Sequence, residues 1–229
     1  MAEAEVRDFR YERKFLVEEL DAGQARLLVR RHPAMFCAPY PPRHVNNLYL
    51  DTEEMENYYA NVNGVDERVK VRIRWYGELF GEIAKPVLEF KVKSGLVGTK
   101  HIYAFPSFRL DDTFDGASFR KLVQRTDLPD QARMYLRDLE VVLCNRYHRW
   151  YYATHDQRFR VTVDHEMVYY QVRRFCNHFR HRFLDARNII VELKYDKPQD
   201  VQADRVAGFF PFIVTKNSKY VTGIERVYL

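Results

Sequence analysis

Arg68-Val69-Lys70-Val71-Arg72-Ile73-Arg74-Trp75-Tyr76-Gly77 is the stretch from which the fold can be read. A strand sends successive side chains to opposite faces. Strict alternation therefore puts Arg68, Lys70, Arg72 and Arg74 on one face and Val69, Val71, Ile73 and Trp75 on the other. Same-face neighbours stand roughly 7 Å apart, inside the Debye length at physiological salt, so these cations repel unless something negative lies among them. Val87-Leu88-Glu89-Phe90-Lys91-Val92-Lys93 repeats the pattern, with Glu89, Lys91 and Lys93 opposite Leu88, Phe90 and Val92. The partner of such a pair of strands is expected to be an anion.

Outward from this pair, the alternation continues. Strands are predicted over residues 9–17, with Glu12 and Lys14 on one face, over 45–51, and over 99–105, which carries Lys100. Residues 140–152 place Asn145, Tyr147, Arg149 and Tyr151 together, and residues 159–164 alternate Phe159, Val161 and Val163 with Arg160, Thr162 and Asp164. Two more strands are expected over 167–175 and over 189–195, the latter with Glu192 and Lys194 opposite Val191, Leu193 and Tyr195. Helices are predicted from an Asp21 cap to about His32, burying Leu27 and Leu28, and over 53–61, 118–125 and 131–138. Asn63-Gly64 and residues 95–98 read as turns.

A two-layer sheet with a solvated polar face would account for any one of these strands. The joint pattern argues against it, because exposed faces usually intersperse both signs of charge. Here the charged faces carry Arg72, Arg74, Lys91, Lys93, Arg149, Arg158, Arg160 and Lys194, with Glu12, Glu89 and Glu192 among them. A barrel with a charged lumen and helices packed on its outside explains both faces, and its lumen should bind a polyanion. The expected fold class is α+β.

Composition is consistent with this. The 229 residues suit a single domain spanning 1–229, and an aromatic content of 15%, with 16 Tyr and 16 Phe, favours strands. The net charge of +5 comes from 37 basic against 32 acidic residues, so placement says more than the total. Cys37, Cys144 and Cys176 are odd in number and lack metal-ligand spacing, which predicts reduced thiols in a cytoplasmic protein. No run reaches the roughly 20 apolar residues that cross a bilayer, and Met1-Ala-Glu-Ala-Glu5 lacks a signal-peptide pattern, so no membrane segment is expected.

The chain has neither a P-loop nor a Gly-x-Gly-x-x-Gly cradle, so phosphate must be held by side chains: arginine forks gripping two oxygens at once, and lysines as point charges. Glu192 in such a lumen either holds Mg²⁺ or Mn²⁺ against phosphate oxygens or neutralises a neighbouring cation; both readings stand. Glu12 and Glu89 read as salt-bridge partners. Tyr147 and Ser218 can donate hydrogen bonds to phosphate, Trp75 and Trp150 belong to the apolar side, and the eight scattered histidines read as surface or structural residues.

Tyr11-Glu-Arg-Lys14-Phe, Asn47-Leu-Tyr-Leu-Asp51-Thr, Arg72-Ile-Arg74-Trp-Tyr-Gly, Leu88-Glu-Phe-Lys91, Tyr147-His-Arg149, Arg158-Phe-Arg160-Val-Thr-Val-Asp164, Val191-Glu192-Leu-Lys194 and Lys216-Asn-Ser218-Lys219-Tyr220 together resemble the VTC domain. This is the polyphosphate polymerase branch of the triphosphate tunnel metalloenzymes. The resemblance implies an eight-stranded antiparallel β-barrel tunnel with helices outside. It also implies ATP and inorganic polyphosphate as substrates, and Mn²⁺ or Mg²⁺ as cofactor; nucleic acid is not an expected partner. Lys14, Arg72, Arg74, Lys91, Arg149, Arg160, Lys194, Lys216 and Lys219 would be the catalytic phosphate ligands. Lys100, Arg158, Tyr147 and Ser218 would join them in binding substrate, and Glu192 would hold the metal.

Arg68, Lys70 and Lys93 match no tunnel position and are assigned to the mouth or the surface. Asn61 and Asn46-Asn47 stand where relatives carry basic residues or Arg-Ser, which predicts a tunnel less basic at one end. Arg10 occupies the first Glu position of the Glu-x-Glu-x-Lys signature found in the triphosphatase branch, which favours the polymerase. A metal-dependent tripolyphosphatase or nucleoside triphosphatase, and a non-catalytic polyphosphate-binding module, are the alternatives.

Overall fold

Alternating strands and capped helices follow one another in a computed structural model that describes residues 5–8, 11–94, 97–175 and 177–229. Phe9 and Arg10 of the first expected strand, Gly95 and Leu96 of the expected turn, and Cys176 lie outside the described residues. The chain begins with β1 (Glu5–Asp8), β2 (Tyr11–Val17), α1 (Ala22–Arg30), β3 (Arg43–Asp51), α2 (Glu56–Val62) and β4 (Glu67–Tyr76). It continues through β5 (Gly81–Ile83), β6 (Val87–Ser94), β7 (Val97–Ala104), β8 (Phe108–Leu110), α3 (Gly116–Arg125) and α4 (Asp130–Leu136). The last part holds β9 (Glu140–Ala153), β10 (Phe159–Gln171), β11 (Arg182–Asp185), β12 (Ile189–Tyr195), α5 (Asp200–Gly208) and α6 (Lys219–Tyr228).

One antiparallel sheet runs in the order β1-β7-β6-β4-β3-β9-β10-β12-β2, with β11 added beside β10, and β5 and β8 form a separate pair. Its eight strands of seven or more residues are β2, β3, β4, β6, β7, β9, β10 and β12. Although consecutive in sequence, β1 and β2 pair with opposite ends of this sheet, β1 with β7 and β2 with β12. The sheet is therefore curled, and the N-terminal segment brings its two edges together. Glu12 on β2 reaches Lys91 on β6 at 3.2 Å across that seam.

The apolar faces of the strands point outward, as expected, and two cores cover them. Val71, Ile73 and Trp75 of β4 and Leu88 and Phe90 of β6 pack under Phe119 and Leu122 of α3 and Leu136 of α4. Phe15, Val161, Val163, Val191 and Leu193 pack under Ala25 and Val29 of α1 and Ala203 and Ala207 of α5, with Trp150 at the margin. Asp21 caps α1 in a reciprocal capping box with Gln24. The buried side of α1 is Ala25 and Val29; Leu27, expected inside, is exposed, because residues four apart share a helix face and Leu27 lies off it.

A third core lies on the concave side. Tyr220, Ile224 and Val227 of α6 pack against Tyr49, Leu143, Tyr147 and Tyr169, so this helix fills one end of the barrel. Gly223 is the point of closest approach: a Cβ there would stand 2.5 Å from Leu143 and 2.7 Å from Tyr169. Asp51 ties the neighbouring α2 to α6, accepting from the Asn57 and Tyr58 backbone N–H groups and from the Tyr220 hydroxyl.

Strand β10 differs from expectation. The predicted strands 159–164 and 167–175 are one strand that ends at Gln171. A register shift between His165 and Val168, with Glu166 at φ +53°, reverses the alternation in mid-strand and made one strand read as two. Cys37 and Cys144 are free thiols, exposed and buried respectively. Among the described residues, no helix is long and apolar enough to cross a membrane.

Candidate active site

The concave faces of the eight strands enclose a cavity of about 590 Å³. Ten cations line it: Lys14 from β2, Lys70, Arg72 and Arg74 from β4, Lys91 from β6, Lys100 from β7, Arg149 from β9, Arg160 from β10, Lys194 from β12 and Lys219 from α6. Glu12, Glu192 and Asp196 are the carboxylates on the same wall. Strand register produces the rows. Lys70, Lys91 and Lys100 are direct cross-strand partners on β4, β6 and β7, and Arg160 and Lys194 are partners on β10 and β12.

Two buried carboxylates hold the arginine forks in place. Glu89, 3% exposed, takes Arg72 Nε at 2.7 Å and Arg72 Nη2 at 2.6 Å, and takes Lys100 Nζ at 2.5 Å. Asp164, wholly buried, takes Arg149 Nε at 2.5 Å and Nη2 at 2.7 Å, and Lys219 Nζ at 2.5 Å. A guanidinium carries five N–H donors, so an arginine held along one edge keeps the others for a ligand in fixed orientation. Burial opposes ionisation of Asp164 and Glu89. The cations beside them, Arg149 and Lys219 for Asp164 and Arg72 and Arg74 for Glu89, outweigh it and hold both below the usual carboxylate range. Asn47 orients a further fork by accepting Arg74 Nε at 2.9 Å while donating to Asn145 at 2.8 Å. The position where a less basic wall was expected thus serves the neighbouring arginine.

Glu192 sits at the centre of the wall, with Lys194 Nζ at 2.7 Å and Lys14, Arg149 and Lys219 at 3.7 to 3.8 Å. Burial works against its charge, but Lys194, Lys219, Lys14 and Arg149 hold it well below the usual range, so it is ionised. One of its contacts is close and three are long. Mg²⁺ and Mn²⁺ take oxygen ligands from one or two carboxylates and complete the shell with water and substrate phosphates. Glu192 fits that donor set.

The lysines respond to crowding. Burial pushes Lys91 and Lys100 down to about 8, partly offset by Glu12 for Lys91 and by Glu89 for Lys100. Lys70 is also lowered, by burial and by Lys14 and Lys91, and donates to Ser218 Oγ at 2.8 Å. Glu12 falls to about 2, because Lys14 and Lys91 overcome the effect of its burial. The cavity is a concentration of positive charge that an incoming anion would relieve.

Of the expected site residues, Lys14, Arg72, Arg74, Lys91, Lys100, Tyr147, Arg149, Arg160, Glu192, Lys194, Ser218 and Lys219 come together on this wall. Arg158 and Lys216 do not: Arg158 is exposed and pairs with Asp156 at 3.4 Å, and Lys216 is an exposed residue ahead of α6. Lys216 and Arg68 both act on Lys93, which gathers these three basic residues outside the lining. Lys70, assigned from sequence to the mouth or surface, belongs to the wall; the parity it shares with Arg72 and Arg74 was the available signal. Ser218 caps α6 by accepting from the Val221 N–H, which places Lys219 in the first turn of a helix inside the barrel.

Residues 9–228 match the VTC domain family. The chain belongs to the VTC domain family. The curled sheet and cationic lumen are thus those of a VTC domain. Among solved structures, this VTC domain is similar to a candidate adenylate cyclase from Bacillus halodurans, at 12% identity and a TM-score of 0.56, covering 97% of this chain and 98% of that one. A candidate adenylate cyclase from Vibrio parahaemolyticus is similar at 13% identity and a TM-score of 0.51, covering 93% of this chain and 95% of that one. At such identities the likeness is one of fold. Comparison with curated proteins finds no significant match.

Proposed function

We propose that this VTC domain transfers the γ-phosphoryl group of ATP to the end of a growing inorganic polyphosphate chain, with a divalent metal. The supporting observation is the wall itself: ten cations in cross-strand rows, with two arginines locked by buried carboxylates and an ionised Glu192 among them. A terminal polyphosphate oxygen attacks the γ-phosphorus as its bond to the β,γ-bridging oxygen breaks, and ADP leaves. Charge spreads over phosphate oxygens and no protein nucleophile is needed, so catalysis is positioning and electrostatics.

Arg72 and Arg149, fixed by Glu89 and Asp164, orient phosphates. Lys14, Arg74, Lys91, Arg160, Lys194 and Lys219 share the charge along donor and acceptor, and Lys100, Tyr147 and Ser218 add further contacts. Glu192 would hold Mg²⁺ or Mn²⁺, which when bound offsets negative charge on the phosphates. The test is incubation of the purified protein with ATP and either metal. Acid-stable polymer degraded by an exopolyphosphatase is the expected product. Orthophosphate without polymer would instead assign a hydrolase, and tight polyphosphate binding without turnover a binding module.

A further inference from the structure

Outside the barrel, three histidines stand in one row. His44 on β3 is the direct cross-strand partner of His148 on β9, and His148 is the partner of His165 on β10. Their rings lie close, with 4.9 Å between the centroids of His44 and His148 and again between those of His148 and His165. The row meets the bulge of β10, where the left-handed backbone of Glu166 sets a carboxylate oxygen 3.7 Å from His165 Nδ1. Ligand atoms of His148, His165 and Glu166 all fall within 4.8 Å of one another.

We propose that His148, His165 and Glu166 form a second metal site, for a borderline-soft divalent ion of the Zn²⁺ class, on the outer face and separate from the lumen. His165 is 6% exposed, and its Nε2 is buried without any hydrogen-bond partner. An imidazole nitrogen left so is costly unless something is bound nearby that uses or orients the ring. Two imidazoles and a carboxylate make a donor set suited to Zn²⁺, unlike the all-oxygen shell expected around Glu192.

Tetrahedral Zn²⁺ places its ligand atoms about 3.4 Å apart, so the cluster must close modestly. Glu166 is exposed and able to swing inward. Arg146 is the cation acting on His44, and it pairs with Glu78 at 3.8 Å. His165 follows Asp164 and His148 precedes Arg149, so the ion would sit behind the pair that orients the Arg149 fork.

Co²⁺ titration of the chelator-stripped full chain reads the site by its d–d absorption. One equivalent giving an intense tetrahedral spectrum, displaced by Zn²⁺, is the expected result. Affinity should fall at least about tenfold in His148→Ala and in Glu166→Gln, both at positions outside the buried cores, with circular dichroism confirming the fold. Glu192→Gln should keep the spectrum. A spectrum that survives His148→Ala and Glu166→Gln, one that disappears in Glu192→Gln, or no tetrahedral spectrum in the parent protein would overturn the assignment.

Discussion

Replacing Asp164 by Asn removes one negative charge from beneath the lumen wall while nearly preserving shape. Asp164 is wholly buried and makes three contacts of 2.5 to 2.7 Å with Arg149 and Lys219. Removing one partner of a buried ion pair usually costs about 3–5 kcal/mol, because the remaining charge stays buried and uncompensated. Glu192 stays 3.7 Å from both Arg149 and Lys219, so the lower end, about 3 kcal/mol, is expected. For a protein of this size that lowers the thermal midpoint by roughly 6–12 °C. Polyphosphate should recover part of the loss, since ligand at a hundred times its dissociation constant adds about 2.7 kcal/mol. The depressed Asp164 pKa gives the sign with pH: its contribution is complete at neutral pH and is lost as pH falls through its folded-state value, below the usual carboxylate range. Denaturant unfolding with and without polyphosphate measures both effects. A loss under about 1 kcal/mol in a variant with native circular dichroism would refute the idea that Asp164 neutralises the wall from behind.

Three further outcomes are expected. Glu192→Gln should abolish polymer synthesis while polyphosphate binding holds or tightens, as measured by calorimetry; weaker binding would mean Glu192 only organises the lysines. Lys91 and Lys100, at about 8, shed protons above that pH, and a bound polyanion restores them, so affinity should fall as pH rises from 7 toward 9.5. The ligand-free protein behaves oppositely. Between about 8 and the unfolded lysine value near 10.4 the unfolded chain holds more protons, so this contribution to stability rises with pH; a flat binding curve would contradict both statements. Gly223→Ala drives a Cβ into Leu143 and Tyr169 and should destabilise by about 1–3 kcal/mol despite alanine's better helix propensity; a more stable variant would count against the close packing of α6.

Much of this was legible because period-two alternation carries both the fold and the site. Lys14, Arg72, Arg74, Lys91, Arg149, Arg160, Glu192 and Lys194 share strand faces that sequence parity assigns directly, and register then brings them together. Parity breaks at a bulge, which is why β10 reads as two strands; the pairing of His165 with His148 lies in the register before it and is a cross-strand relation that parity does not carry. It is also silent about depth. Glu89 and Asp164 alternate like their neighbours, yet their role as buried supports for arginine depends on contacts between strands distant in sequence. Helix α6 went unread although Ser218 is a good cap and Tyr220, Ile224 and Val227 follow at helical spacing. Arg158 shows the converse: its position in a recognisable motif placed it in the substrate set, while the turn it occupies points it to solvent.

The joining of early and late parts of the chain has a consequence for how the molecule comes into being. Lys14 meets Glu192, and Lys70 meets Ser218, only when opposite ends of the chain are joined. Such non-local pairings are slow to form and cannot precede synthesis of the C-terminal strand and helix. On a ribosome the cationic strands emerge first, unclosed, and the lumen is completed last. A nascent chain therefore has no enclosed cationic lumen until β12 and α6 have been made and have docked.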